Sequence, residues 1–233
     1  DYVAKFGFDP KLNPAYLTMA LGAGAATPLQ MGGAYAVFAN GGYRVAPYLI
    51  ARIVDAKGNV LTDADPSRAG ETAERAIDPR NAFVMTTLLK DVVATGTATR
   101  AKSLGRKDIA GKTGTTNDNV DAWFCGYTPS LVGIAWIGFD QPRSLGNNET
   151  GSVAALPIWI SFMQRALKGV PEQPAEPPPG VVQVRINDAT GLRDDASPLT
   201  DWFFAETLPR GREDTLVPAP GGKSAQDVRN QLF

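Results

Sequence analysis

The sequence contains no histidine and a single cysteine, Cys125. The first absence removes Ser-His and Cys-His nucleophile pairs and every metal site that depends on imidazole. The second removes an intrachain disulfide and a multi-cysteine zinc site. No metal or cofactor is expected, and with no histidine any base catalysis must fall to lysine or a carboxylate. Neither charge is in excess: 23 Lys and Arg face 24 Asp and Glu over 233 residues, a net charge of −1. Nothing in that balance suits a polyanion, so nucleic acid is not an expected partner. No apolar run approaches the roughly 20 residues of a membrane-spanning helix. The chain opens on Asp1 without Met or a signal-peptide pattern, so a processed product or a piece of a longer protein is expected.

What is present suits a packed core: 43% hydrophobic and 20% charged residues. Thr27 has the marks of an N-cap, with Pro28 at the first helical position, Gln30 three residues on and an Asn40-Gly41-Gly42 stop. A helix over 28–39 follows, with Gly32 and Gly33 permitting close packing. Segments 48–55 and 60–62 flank a turn and predict two short strands, and 63–76 reads as loop. Asp78-Pro79 opens a second helix whose apolar stripe runs to about Ala94. A loop over 95–107 leads to strands at 109–116, 122–127 and 131–139, the last two forming a hairpin, and 152–168 reads as a helix bent or begun at Pro157. Strands and helices are segregated, which predicts an α+β fold. The run 170–180 carries five prolines and predicts a stiff linker. An edge strand is expected at 181–186, and 181–233 as a whole is expected to be an extension of low order.

The sharpest chemical signal is Lys112-Thr113-Gly114-Thr115, followed by Thr116. Gly111 and Gly114 would let a ligand lie close to the main chain. Thr113 and Thr115, two apart on a strand, supply two hydroxyls on one face, and Lys112 adds a cation. A peptide with a free carboxylate beside a scissile amide matches that set, as does pairing along an open strand edge. A Thr-rich edge strand with a solvated lysine is the competing interpretation for so short a motif.

The surroundings decide between them. Lys-Thr-Gly is a signature of class A β-lactamases and penicillin-binding proteins. The segments TPLQMGGAYAVFANGG (27–42), GTATR (96–100), AGKTGTTND (110–118), DAWFCGYTP (121–129) and WIGFD (136–140) occur in order. With ETG (149–151) and ALP (155–157), they resemble the transpeptidase domain of bifunctional class A penicillin-binding proteins of the 1A type, over about residues 1–169. The resemblance implies the serine β-lactamase-like α+β fold, a five-stranded antiparallel sheet packed with helices, of which this chain is the C-terminal part. It implies peptidoglycan D,D-transpeptidation through a serine acyl-enzyme, with stem peptides, a lipid-linked precursor and β-lactams as partners. Lys112 would steer the donor's carboxylate and disfavour the charged form of the family's base lysine. Thr113 and Thr115 would bind that carboxylate, and the Thr115 N–H would supply half of an oxyanion hole. Gly114 and Thr116 complete the substrate-binding set. An upstream glycosyltransferase domain, a membrane anchor and a location at the periplasmic, outer face of the cytoplasmic membrane are implied likewise.

One departure is large. None of the eight serines is followed by lysine three residues on, and Ser-x-Asn does not occur. The nucleophile and base are therefore expected before Asp1, in the N-terminal part of the same protein. A β-lactamase, a D,D-carboxypeptidase and a non-catalytic cell-wall peptide-binding module are the alternatives. The other candidates read as structural. Cys125 is expected as a buried hydrophobe, and Trp123, Trp136 and Phe139 as core-facing or stacked hairpin residues. Asp118 and Asp121 suit turns rather than an acid–base pair, and Trp202-Phe203-Phe204 suits a docking patch and packing equally.

Overall fold

The computed structural model describes residues 2–13, 15–22 and 24–211. The chain divides into two units, Asp1–Pro178 and Pro179–Phe233. In the first unit two single-turn 3-10 helices, Tyr2–Phe6 and Leu17–Leu21, precede α1, Pro28–Ala39. The capping box at its start is formed as expected: the Thr27 side chain accepts from the Gln30 N–H at 3.2 Å, and the Gln30 side chain accepts from the Thr27 N–H at 2.8 Å. Two short pairs follow, β1 (Tyr43–Arg44) with β4 (Glu74–Arg75) and β2 (Arg52–Val54) with β3 (Val60–Asp63). The strand β4 lies in a stretch expected to be loop. It forms because Arg75 stacks its guanidinium 4.1 Å above the Tyr43 ring, a pairing across about thirty residues that no local pattern reveals.

Asp78 caps α2, Pro79–Ala94, by accepting from the Arg80 N–H at 2.8 Å. A 3-10 helix, Thr99–Leu104, occupies the middle of the expected loop and leads into the central sheet. Its strands are β5 (Ala110–Thr115), β6 (Ala122–Thr128) and β7 (Leu131–Ile137), antiparallel and in the order β5-β6-β7. The first and third are shorter at their ends than expected, the second is one residue longer, and among the described residues the sheet has three strands rather than the five that the resemblance implies. A single π turn, Gly151–Ala155, then runs into α3, Leu156–Ala166, which carries a proline in its first turn.

Register decides what each face of the sheet can pack. Gly111 pairs with Gly126, which pairs with Gly133, so three glycines lie in one row across the strands. Residues paired this way share a face. A Cβ on Gly126 would fall 2.8 Å from Trp159 Cζ2, and one on Gly133 would fall 2.6 Å from Trp159 Nε1. The trough so formed seats the Trp159 indole of α3, which is 1% exposed and donates to the Gly133 carbonyl at 3.0 Å. Phe124 meets it edge-on with centroids 4.9 Å apart, and Leu156, Met163 and Ile109 complete this core. The opposite face carries Cys125, Tyr127 and Ile134 against α1, where Gly32 would bring a Cβ to 3.8 Å from Ile134.

The proline-rich segment after α3 is extended, and its first residues are bound to the loop before β5. Asp108, 3% exposed, accepts from Arg106 Nε at 2.8 Å, Arg106 Nη2 at 2.6 Å and the Gln173 N–H at 3.2 Å. Arg106 also donates to the carbonyls of Val170 and Pro171. In the second unit β8 (Val181–Arg185) pairs antiparallel with β9 (Thr200–Phe204). The edge strand expected at 181–186 thus has a partner, and that partner contains Trp202-Phe203-Phe204. The remainder of the expected extension, from residue 212, lies outside the described residues.

Candidate functional site

The strand β5 pairs on one side with β6 and with no other strand among the described residues. Alternation along it sends Lys112 and Gly114 to the α1 side, where their partners are Cys125 and Trp123. Thr113 and Thr115 point to the other side, as their spacing predicts. A cleft of about 650 Å³ lies beside this strand, bordered by all five expected site residues, Lys112, Thr113, Gly114, Thr115 and Thr116. Its far walls come from Met31 and Tyr35 of α1, from Trp123 and Trp136, and from Val3, Phe8 and Met19 of the N-terminal segment. That segment showed no signal in the sequence, because its contribution depends on where the chain returns rather than on any local pattern.

Each threonine is held by a group from outside the strand. Thr115 Oγ1 accepts from the Gly151 N–H at 3.1 Å, so its own proton is not used in that bond. Thr113 Oγ1 lies 2.6 Å from Thr97 Oγ1. Thr116 accepts from the Asp121 N–H at 2.7 Å and donates its own N–H to the Asp121 carbonyl at 3.1 Å, closing a short loop. Lys112 is exposed and donates to the Thr113 carbonyl at 3.0 Å. Gly151 is a requirement of this arrangement: a Cβ there would press on the carbonyl oxygens of Trp123 and Gly114. Thr97 and Gly151 both lie in segments matched by resemblance, but nothing in their spacing announced these bonds.

Asp118 and Asp121 serve the turn, as expected. Asp118 has φ 58° and its carbonyl accepts from Ser144, while Asp121 accepts from Trp136 Nε1 at 2.8 Å. Trp123 and Trp136 are stacked with centroids 5.8 Å apart, but they border the cleft rather than the core, and Trp136 is 38% exposed. Phe139 is also partly exposed, under the Arg143 guanidinium.

Cys125 is 2% exposed. Burial pushes its thiol from 9.0 up to about 12, and pushes the Tyr127 hydroxyl from 10.0 to about 12. Both groups are neutral when folded, so stability is fully present below pH 9. It declines as pH rises from there toward 12, where the unfolded chain ionises and the folded chain does not. Cys125→Ala is expected to remove the first part of that decline, between pH 9 and 10, in urea melts. Native Cys125 is expected to resist iodoacetamide at pH 8, where its thiolate fraction is on the order of 10⁻⁴. Alkylation at the rate of a free thiol would show the burial to be wrong.

The family model described as the penicillin-binding protein transpeptidase domain matches residues 4–155. Penicillin-binding protein 1A of Neisseria lactamica is 51% identical over 181 residues, covering 78% of this chain and 23% of that protein. The corresponding protein of Neisseria meningitidis is 44% identical over 97% of this chain and 29% of its own length. The crystal structure of penicillin-binding protein 1A from Haemophilus influenzae superposes with a TM-score of 0.83 at 35% identity, covering 89% of this chain and 36% of that one. The chain thus spans less than a third of the length of either Neisseria protein. The fold is the α+β fold of penicillin-binding transpeptidases and serine β-lactamases, and the chain belongs to the penicillin-binding protein transpeptidase domain family.

Proposed function

We propose that this chain forms the substrate-gripping wall of a penicillin-binding peptidoglycan D,D-transpeptidase, and that the serine nucleophile and its lysine base come from a segment of the same polypeptide outside these 233 residues. The observation that carries this is the cleft beside β5, where Thr115 is locked as acceptor by Gly151 and keeps its proton for a ligand. The acyl donor is a stem peptide ending in a free carboxylate. Thr113 and Thr115 donate to that carboxylate, and the Lys112 ammonium attracts it. In acylation the serine oxygen bonds to the scissile carbonyl carbon, and the oxyanion accepts from the Thr115 N–H. The C–N bond then breaks, and the leaving amine takes the proton that the base removed from the serine. An acceptor amine reverses the sequence and frees the serine. A β-lactam enters as the same carboxylate beside a reactive amide. No helix among the described residues is long and apolar enough to cross a membrane. An upstream anchor and glycosyltransferase domain, with the catalytic part on the periplasmic face, complete the proposal.

The polypeptide carrying the upstream segment is expected to form a serine-linked adduct with a fluorescent penicillin. Thr115→Val keeps the backbone N–H and removes one charge-assisted hydrogen bond, so labelling is expected to slow by about tenfold to a hundredfold. Labelling at the wild-type rate would sink the assignment of Thr115. Rapid release of hydrolysed penicillin would favour a hydrolase instead.

A further inference from the structure

Thr97 is exposed, lies on the turn that leaves α2 and is not among the residues that border the cleft. Gly96 makes that turn possible, since a Cβ on it would sit 2.9 Å from Val92 Cα and 3.0 Å from the Val92 carbonyl oxygen. Ala98, with no exposed surface, donates its N–H to the same carbonyl at 3.1 Å and fixes the other side. Between them the turn holds Thr97 Oγ1 2.6 Å from Thr113 Oγ1, at the short end for a hydroxyl pair.

Two hydroxyls in contact place one proton between them and leave one over. An anion on the cleft side draws the remaining proton onto the Thr113 side, because a hydrogen bond to a charged acceptor is roughly twice as strong as a neutral one. Thr97 is then the donor of the 2.6 Å bond, and its donation polarises the Thr113 O–H. The same device operates at Thr115, where the Gly151 N–H occupies a lone pair and leaves the proton outward.

We infer that Thr97 is a positioning residue: it directs the Thr113 hydroxyl proton at the substrate carboxylate and so contributes to the preference for acyl donors that bear a free acid. The inference rests on the proposed function, since it takes the cleft ligand to be such a donor. Thr97 does not itself border the cleft, so it acts through the Thr113 hydroxyl.

The test compares second-order acylation rate constants for benzylpenicillin and its methyl ester, using the polypeptide that includes the upstream segment. Thr97→Val is expected to lose about tenfold on the free acid and less than about twofold on the ester. Thr97→Ser is expected to restore the acid-to-ester ratio. Both rates are read on one sample, so any misfolded fraction cancels from the ratio. An unchanged ratio in the valine variant, or a serine variant as impaired as valine, overturns the inference while leaving the proposed function intact. A wild-type protein that acylates with neither compound overturns the proposed function, and this inference with it.

Discussion

Asp108→Ala is expected to lower the stability of the Asp1–Pro178 unit by about 3 kcal/mol, as loss of one partner of a buried ion pair does. Asp108 is 3% exposed, and the Arg106 side chain is 11% exposed. Removing the carboxylate strands the guanidinium with two backbone carbonyls, Val170 and Pro171, and leaves the Gln173 N–H without its acceptor. For a unit of this size the loss corresponds to a fall in Tm of about 6–12 °C. The segment it ties down should also become cleavable by protease between α3 and Pro178. Replacing both partners, Arg106→Leu with Asp108→Leu, is expected to recover part of the loss: no charge is left buried without its partner, while the Gln173 N–H still lacks its acceptor. A single-variant loss below about 1 kcal/mol would place the pair among the exposed ion pairs that contribute little.

Gly151→Ala has the other large expected effect, and it acts on both stability and chemistry. The atoms an added methyl would strike are main-chain oxygens of Gly114 and Trp123, which cannot rotate aside. Either the π turn lifts or β5 shifts, at a cost of about 1–3 kcal/mol. A shift of β5 also breaks the 3.1 Å bond that fixes the Thr115 hydroxyl. Displacement by about 1 Å at a reacting group lowers rates by about a hundredfold. Penicillin labelling of the polypeptide that carries the upstream segment should therefore fall far more than its folded fraction does. The comparison is a melt and a labelling time course on the same variant. Equal losses in the two would mean that Gly151 serves the fold alone.

Much of this was legible locally. Thr27, Pro28 and Gln30 define the start of α1 within four residues, and Asp78-Pro79 does the same for α2, because capping is a short-range matter. Alternation located β5 and put Thr113 and Thr115 on a common face. The groups that orient those threonines were not legible. Thr97 and Thr113 are 16 residues apart, Gly151 and Thr115 are 36 apart, and Arg106 reaches Val170 across 64. Such pairs depend on how the chain returns to itself, which no periodicity encodes. Trp123 and Trp136 are stacked across the hairpin, one of the two arrangements expected of them, but their place at the cleft depends on neighbouring walls that no local pattern reveals.

The glycine row beneath Trp159 has an optical consequence. Its indole is sealed from water, whereas Trp123 and Trp136 border the cleft. Intrinsic emission from the first unit therefore separates into a blue component from Trp159 and a redder, quenchable component from the other two. A ligand entering beside β5 would alter only the redder component. Separation of α3 from the sheet would register in the blue component, so occupancy and unfolding can be followed in one cuvette without an added dye.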